Sequence, residues 1–106
     1  MWTVEFVSET AFAEAEALPD DLGARLTRIV DLIEANGLVA LRPPYVRHLE
    51  DKLWEIRLSG KSGIARSIYV TASGRRVVIL RTFVKKTQKT PRREIELAQA
   101  RARILK

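Results

Sequence analysis

The chain has 106 residues, which is enough for one domain over residues 1–106 and a single hydrophobic core. With no cysteine and one histidine, it carries neither a disulfide framework nor a cysteine-ligated zinc site, and no metal or other cofactor is expected. No apolar run approaches the roughly 18–20 residues that span a bilayer, no secretory signal follows Met1, and the net charge of +6 therefore indicates a basic, cytoplasmic protein with no membrane partner.

The N-terminal segment predicts a strand and then a short helix. Residues 2–7 alternate in part and are rich in β-branched and aromatic side chains, which favours a strand. We expect Trp2, within that strand, to anchor the core rather than to stack on a nucleobase. Ser8 or Thr10 can cap a helix, rich in alanine and glutamate, that continues to Leu18.

A second helix is predicted after the interruption at Pro19. Asp20 is placed to cap it. Its apolar residues recur at helical spacing and are Leu22, Leu26, Ile29, Val30 and Ile33. Gly37 tolerates positive φ and is expected to end the helix after Asn36, so that the two helices form a hairpin.

Four short strands are predicted between residues 45 and 84. They are Tyr45–Leu49, Lys52–Leu58, Ile64–Ala72 and Arg76–Val84. Turns at residues 59–63 and 73–75 join the last three strands into hairpins, and the connector before the four strands contains Pro43-Pro44, which excludes helix. Because Trp54 alternates in step with Ile56 and Leu58, it is expected to lie in the core.

A closing helix is predicted at the C-terminal end of the chain. Thr90 is expected at its N-cap and Pro91 at its first position, and the helix continues through Ile104. The element order is then βααββββα. Since short hairpins make consecutive strands antiparallel, the sequence predicts an α+β domain: an antiparallel sheet with the N-terminal helical hairpin and the C-terminal helix packed on it.

The charge is distributed unevenly along the chain. Residues 1–37 contain eight acidic residues and two arginines, for a net charge of −6. Residues 38–106 contain seventeen lysines and arginines against five acidic residues, for a net charge of +12. Such an asymmetry favours a polyanionic partner for the second segment, most simply a nucleic acid, over a merely solvated basic surface.

Two short motifs are better explained by structure than by chemistry. Gly60-Lys61-Ser62 resembles the end of a phosphate-binding P-loop, but that motif needs a glycine where Glu55 stands and a helix after it, whereas here the tripeptide joins two strands. His48 lies at a strand end with no partner visible in the sequence, which favours a structural or solvated role over a general base.

The loop before the closing helix is the strongest candidate for a binding site. A strand ends in a loop with three lysines, immediately before the helix N-terminus: Lys85, Lys86 and Lys89. Ammonium groups and the backbone amides of a helix N-terminus can together hold phosphate oxygens. Arg57 and Arg66, on neighbouring strands, can face the same surface, so the sequence favours a phosphate site over a solvated loop.

Three segments together resemble a known toxin family. They are Leu53-Trp54-Glu55-Ile56-Arg57, Arg66-Ser67-Ile68-Tyr69-Val70, and the run from Phe83 to Pro91 with Glu94 and Ala98 after it. They are similar to the phage-derived, HigB-like branch of the RelE/ParE toxin superfamily, over nearly the whole chain. The resemblance implies a RelE-like fold and a type II toxin: a ribosome-dependent mRNA endonuclease that acts on mRNA on the ribosome and is neutralised by a cognate antitoxin of the helix-turn-helix type.

The resemblance also assigns site residues. Glu55 and Arg57 match the strand that supplies a charged pair in RelE-like active sites, and Arg66 matches a phosphate-facing arginine on the next strand. The basic loop is matched by Lys85, Lys86 and Lys89. The best-known members place a tyrosine or histidine near the C-terminal end of the site, where this chain has Arg93 and Ile95, so the general acid is not identified.

These matches imply metal-independent cleavage with the ribose 2′-OH as nucleophile. Arg57 and Arg66 are expected to stabilise charge on the phosphate in the transition state, with Glu55 as candidate base. The alternative proton shuttle is a lysine whose pKa is lowered by neighbouring cations, one of Lys85, Lys86 or Lys89. The residues expected to contact RNA outside the reacting centre are Lys52, Lys61, Arg81, Lys89, Arg92 and Arg93.

Two other functions remain open from the sequence. A ParE-like inhibitor of DNA gyrase would bind protein and cleave nothing. A non-catalytic module that binds RNA or the ribosome would show steeply salt-dependent binding and leave RNA uncut.

Overall fold

The computed structural model describes residues 1–87 and 89–105. Its elements, in chain order, are β1 (Thr3–Phe6), α1 (Glu9–Glu16), α2 (Asp20–Asn36), a 3-10 helix (Gly37–Ala40), β2 (Val46–Glu50), β3 (Leu53–Gly60), β4 (Gly63–Ala72), β5 (Arg76–Lys85) and α3 (Arg92–Ala102). The α+β class and the predicted order are confirmed, with a 3-10 turn added after α2. Within the described ranges, no helix has both the length and the apolar character that crossing a membrane requires.

The five strands form one mixed sheet in the order β1-β5-β4-β3-β2. Strands β2 to β5 are a meander of antiparallel neighbours, as predicted. Strand β1, however, pairs in parallel with β5, from Thr3 opposite Arg76 to Phe6 opposite Ile79. The prediction of a fully antiparallel sheet was therefore wrong at one edge. Helices α1 and α2 carry the chain from β1 to the opposite edge of the sheet, and the meander ends with β5 beside β1 and running in the same direction as β1.

Two of the predicted helix ends are confirmed. Ser8 caps α1, and its Oγ accepts a hydrogen bond of 3.1 Å from the backbone N–H of Ala11. Gly37 ends α2 with φ of 78°, a conformation that costs little without a Cβ.

The starts of the other two helices differ from the prediction. Helix α2 begins at Asp20 itself, so its N-cap residue is Pro19 and not Asp20. The next residue, Asp21, instead accepts a 2.8 Å hydrogen bond from the backbone N–H of Ser62 and ties α2 to the β3–β4 turn. Helix α3 begins at Arg92, so Pro91 is its N-cap residue rather than its first position.

The sheet buries apolar side chains on both faces. One face packs against α1 and α2, with a buried core of Ala15, Leu18, Leu22, Leu26, Ile33, Val46, Ile56, Leu58, Ala65, Tyr69, Val77 and Ile79. The other, here called the α3 face, has a smaller core of Leu53, Ile68, Val70, Val78, Leu80, Phe83 and Ala98. Because α3 has only 11 residues, part of the α3 face is left for polar side chains.

The two tryptophans have different environments. Trp2 packs against the core under α1 and α2, as predicted. Trp54 is 38% exposed, so its assignment to the core was wrong. It lies at the start of β3 beside the edge strand β2, outside the apolar set on which α2 packs, and its ring lies against that of His48, with centroids 4.9 Å apart and the ring planes tilted by 57°. His48 in turn donates from Nε2 to the carbonyl oxygen of Asp51 at 2.7 Å, which is a structural role at the β2–β3 turn.

Candidate active site

Four cations surround one carboxylate on the part of the α3 face near the start of α3. Arg47 pairs with Glu55 across β2 and β3, and Arg57 pairs with Arg66 across β3 and β4. Lys85, at the end of β5, lies two residues beyond Phe83, the partner of Arg66. Directly paired residues share a sheet face, so the register brings these side chains together. We call the set Arg47, Arg57, Arg66 and Lys85 the basic cluster.

Glu55 is the buried centre of this arrangement, with 1% of its surface exposed. Its Oε1 accepts a 2.6 Å hydrogen bond from the Thr90 hydroxyl, and its Oε2 lies 3.6 Å from Arg66 Nε. The carboxylate therefore does two things. It offsets the repulsion among the surrounding cations, and it fixes the segment that leads into α3 against the sheet.

Arg66 is buried with an unsatisfied donor. It is 4% exposed; its Nη1 donates to the carbonyl oxygen of Ala65 at 2.8 Å, whereas Nε has no hydrogen-bond partner among residues 1–87 and 89–105. Burial lowers the pKa of this guanidinium, Glu55 opposes that effect, and Arg57 and Arg47 add to it. A buried donor without a partner costs about 1–3 kcal/mol, an arrangement that needs an explanation and is found at functional sites.

Lys85 is a buried lysine of the site, with 5% of its surface exposed. Burial and the positive charge of Arg66 lower its pKa, and Glu55 only partly compensates. A lysine with a lowered pKa exchanges protons more readily than an ordinary surface lysine.

The other predicted site residues divide into two groups. Lys61, Lys86, Lys89 and Arg93 are exposed: Lys61 lies in the β3–β4 turn, Lys86 and Lys89 lie between β5 and α3, and Arg93 lies in the first turn of α3. Gln88 lies outside the described residues. Lys52, by contrast, is in the β2–β3 turn, at the other end of β3 from Lys61.

Two of the predicted RNA-contacting arginines are held in ion pairs with the protein. Arg92 pairs with Glu50 at the end of β2 and with Glu96 on its own helix. Arg81 lies between Glu94 of α3, at 2.7 Å, and Glu14 of α1, at 2.9 Å. These carboxylates occupy donors that an RNA phosphate would need.

Sequence reasoning missed Arg47 and the site role of Thr90. The signal for Arg47 was its alternation with buried Val46, which places it on the same face as Glu55 once the β2–β3 register is known. Register across a bulged pair is not visible in one sequence, and this ladder shifts between His48 and Glu50. Thr90 was expected to cap α3, but its hydroxyl binds Glu55 instead.

The Thr90 contact gives a first prediction. Replacing Thr90 with valine keeps the shape but removes the donor to a buried carboxylate, so we expect the free energy of unfolding in urea to fall by about 1–2 kcal/mol. Thr90→Ser retains the hydroxyl and serves as the matched control. We expect its loss of unfolding free energy to be at most half that of Thr90→Val. Equal losses in both variants would show that the methyl group, not the hydrogen bond, holds this segment.

Comparison with known proteins identifies the family of the chain. Residues 13–103 match the family described as phage-derived protein Gp49-like (DUF891). The match begins within α1 and continues past the end of α3, so it includes Glu55 and the whole basic cluster. No curated protein matches the chain significantly.

Proposed function

The chain belongs to the Gp49-like family of phage-derived proteins, a RelE/HigB-type toxin family, and on that premise we propose that it is a toxin of the HigB-like branch that cleaves mRNA on the ribosome. Members of this family are commonly toxins of toxin–antitoxin systems. The observation that carries the proposal is the buried Glu55–Arg66 pair, with Lys85 and two further arginines around it on a part of the sheet that α3 leaves open.

The proposed reaction uses the RNA itself as nucleophile. The ribose 2′-oxygen attacks the adjacent phosphorus, forming the P–O2′ bond as the P–O5′ bond breaks. The 2′-hydroxyl proton leaves to a base and the departing 5′-oxygen gains a proton, so the products are a 2′,3′-cyclic phosphate and a 5′-hydroxyl. The negative charge that grows on the nonbridging phosphate oxygens must be stabilised by preorganised cations.

The side chains of the site divide this work. Arg66 and Arg57 bind the phosphate, because guanidinium groups stay charged and match phosphate geometry. Lys85 exchanges the proton, since burial and the neighbouring charge of Arg66 lower its pKa and ease the release of its proton. Glu55 was the candidate base from the sequence, but at 1% exposure, with Thr90 bound to one oxygen, it is better suited to position Arg66.

A conservative substitution separates proton transfer from charge at Lys85. Lys85→Arg keeps the positive charge but replaces a group of lowered pKa with one that stays protonated. We expect cleavage to fall about 10²-fold while the affinity for RNA changes little. The measurement is single-turnover cleavage of mRNA on purified ribosomes, with binding of an uncleavable 2′-deoxy substrate as the control. Wild-type cleavage by Lys85→Arg would assign proton transfer to another group.

The proposed function is tested by mapping cuts in vivo. Expression of the chain is induced in cells, and primer extension locates the 5′ ends of ribosome-bound mRNA. We expect new ends within translated regions that disappear when initiation is blocked. Growth arrest without new ends, accompanied by loss of DNA supercoiling, would instead indicate a gyrase inhibitor, and RNA retention without cuts would indicate a non-catalytic module.

A further inference from the structure

An apolar groove lies between α2, the 3-10 helix and the start of β2. Two adjoining cavities, of about 320 and 580 Å³, share Leu32, Ala40 and Tyr45 in their walls. Three large apolar side chains at or beside the groove are exposed: Leu32 by 39%, Val39 by 58% and Tyr45 by 60%. Contiguous exposed apolar surface of this kind is typical of an interaction site.

The rim of this groove is positively charged. Arg25, Arg28 and Arg57 line one cavity and Arg42 lines the other, and no acidic side chain contributes to either wall within the described residues. No carboxylate lies within ion-pair distance of these arginines in residues 1–87 and 89–105. Arg42 Nε donates to the carbonyl oxygen of Val39 at 3.1 Å, which leaves its two terminal nitrogens and the guanidinium groups of Arg25 and Arg28 for an anionic partner.

The position of two of these arginines is informative. Residues 1–37 carry eight acidic residues and only two cations, Arg25 and Arg28. Both line the same cavity, so the acidic segment contributes its only positive charges to this groove. A merely solvated helix surface does not require that placement, because Lys or Arg could stand at any exposed position of α2.

We propose that this groove binds an amphipathic helix of a protein partner, with apolar side chains on its inner stripe and acidic side chains on both flanks. The apolar walls fit such a stripe and Arg25, Arg28 and Arg42 fit the flanks, which is the recognition mode of helices that bind in grooves. The groove is lined by residues of α2, the 3-10 helix, the segment before β2 and the end of β3.

The groove adjoins the candidate active site through one residue. Arg57 lines the groove and also belongs to the basic cluster. A helix bound in the groove would therefore lie beside the phosphate site without covering Arg66 or Lys85. This consequence rests on the proposed function, in which an antitoxin, the usual partner of this family, supplies the helix and thereby inhibits cleavage.

The binding experiment uses two designed helical peptides of about 18 residues, a length at which an isolated helix can form. Both carry leucines at helical spacing; one has glutamates on the flanks of the stripe and the other has lysines there. Fluorescence anisotropy against the whole chain is expected to show saturable, salt-sensitive binding of the glutamate peptide only. Equal binding of the two peptides, or of neither, would overturn the proposal.

Variants of the chain locate the bound peptide. Arg25→Glu with Arg28→Glu is expected to weaken binding of the glutamate peptide about tenfold or more, and Leu32→Ser about tenfold. Arg103→Glu, the same substitution at one exposed position after α3, is expected to leave binding unchanged. Loss of binding in all variants alike would contradict a specific groove. If the double variant binds the peptide normally but binds an RNA oligonucleotide more weakly, the groove is an RNA-binding site. If it binds the peptide normally but no longer self-associates, the groove binds a second copy of the chain.

The groove proposal and the proposed nuclease function can be refuted independently of each other. Peptide binding is measured without RNA, so its outcome does not depend on cleavage. Arg28 and Leu32 are not part of the active site, and the groove variants are expected to cleave ribosome-bound mRNA like the wild type. Peptide binding without any cleavage would sustain the groove and refute the nuclease.

Discussion

Arg66→Ala is expected to lower the rate of mRNA cleavage about 10³-fold and to abolish growth arrest, because preorganised cations aimed at a developing anion are among the largest contributions to catalysis. Arg66 is 4% exposed beside Glu55, and its position is fixed by the hydrogen bond to Ala65. No other guanidinium among the described residues of the basic cluster is buried to this degree. The measurement is single-turnover cleavage on ribosomes, together with growth after induction.

The controls for Arg66 separate charge from geometry and from folding. Arg66→Lys keeps a cation beside Glu55 but loses the planar fork of donors, so it is expected to fold like the wild type and to retain only part of the activity. Arg103→Ala removes an exposed arginine at the far end of α3 and should cleave normally. An Arg66→Ala protein that stays folded by circular dichroism and still arrests growth at full strength would refute the assigned role.

Most helices and strands could be predicted from the sequence because each depends on residues close together in the chain. The caps at Ser8 and Gly37 depend on residues within one helical turn, and the β3–β4 and β4–β5 turns depend on short runs of glycine and serine. The parallel position of β1 beside β5 has no such signal. It depends on how two helices cross a sheet, which is a property of the whole chain and not of any segment.

The candidate active site was predictable only where it depends on local sequence patterns. Alternation along β3 correctly placed Glu55 and Arg57 on one face, opposite Ile56 and Leu58. Alternation could not predict that Glu55 is buried, because the burial arises from Thr90 and the chain before α3. The same alternation failed for Trp54, because a face is buried only where another element covers it, and the described residues leave Trp54 38% exposed although its neighbour Leu53 is buried on the α3 face.

Charge alone also could not separate Arg81 from the arginines of the basic cluster. Arg81 contacts the carboxylates of Glu94 and Glu14, and Arg101 binds Glu14 at 2.7 Å from the other side. These four side chains join α1 to β5 and α3, and Glu14 lies 87 positions before Arg101 in the sequence. A sequence pattern contains no indication that a strand arginine meets carboxylates from two helices.

Arg81→Met is expected to lower the free energy of unfolding by about 3 kcal/mol and the melting temperature by roughly 10 °C. Methionine preserves much of the apolar stem, whereas the carboxylate of Glu94, 7% exposed, loses the cation that binds it. Adding Glu94→Gln removes the unpaired charge and should recover about half of that loss. Unchanged stability with weaker RNA binding would instead assign Arg81 to the RNA surface.

The pH dependence of the Arg81→Met loss provides an independent check. Burial alone would raise the pKa of Glu14, but the hydrogen bond from Arg101 and the charges of Arg81 and Arg101 outweigh it and hold that pKa below its ordinary value. A carboxylate with a lowered pKa in the folded state stabilises the protein above its unfolded pKa and loses that contribution as the pH falls through the folded pKa. The difference in unfolding free energy between wild type and Arg81→Met should therefore be largest near neutral pH and shrink in acid, as urea unfolding at successive pH values would show. A difference independent of pH would mean that the loss comes from packing of the arginine stem rather than from its charge.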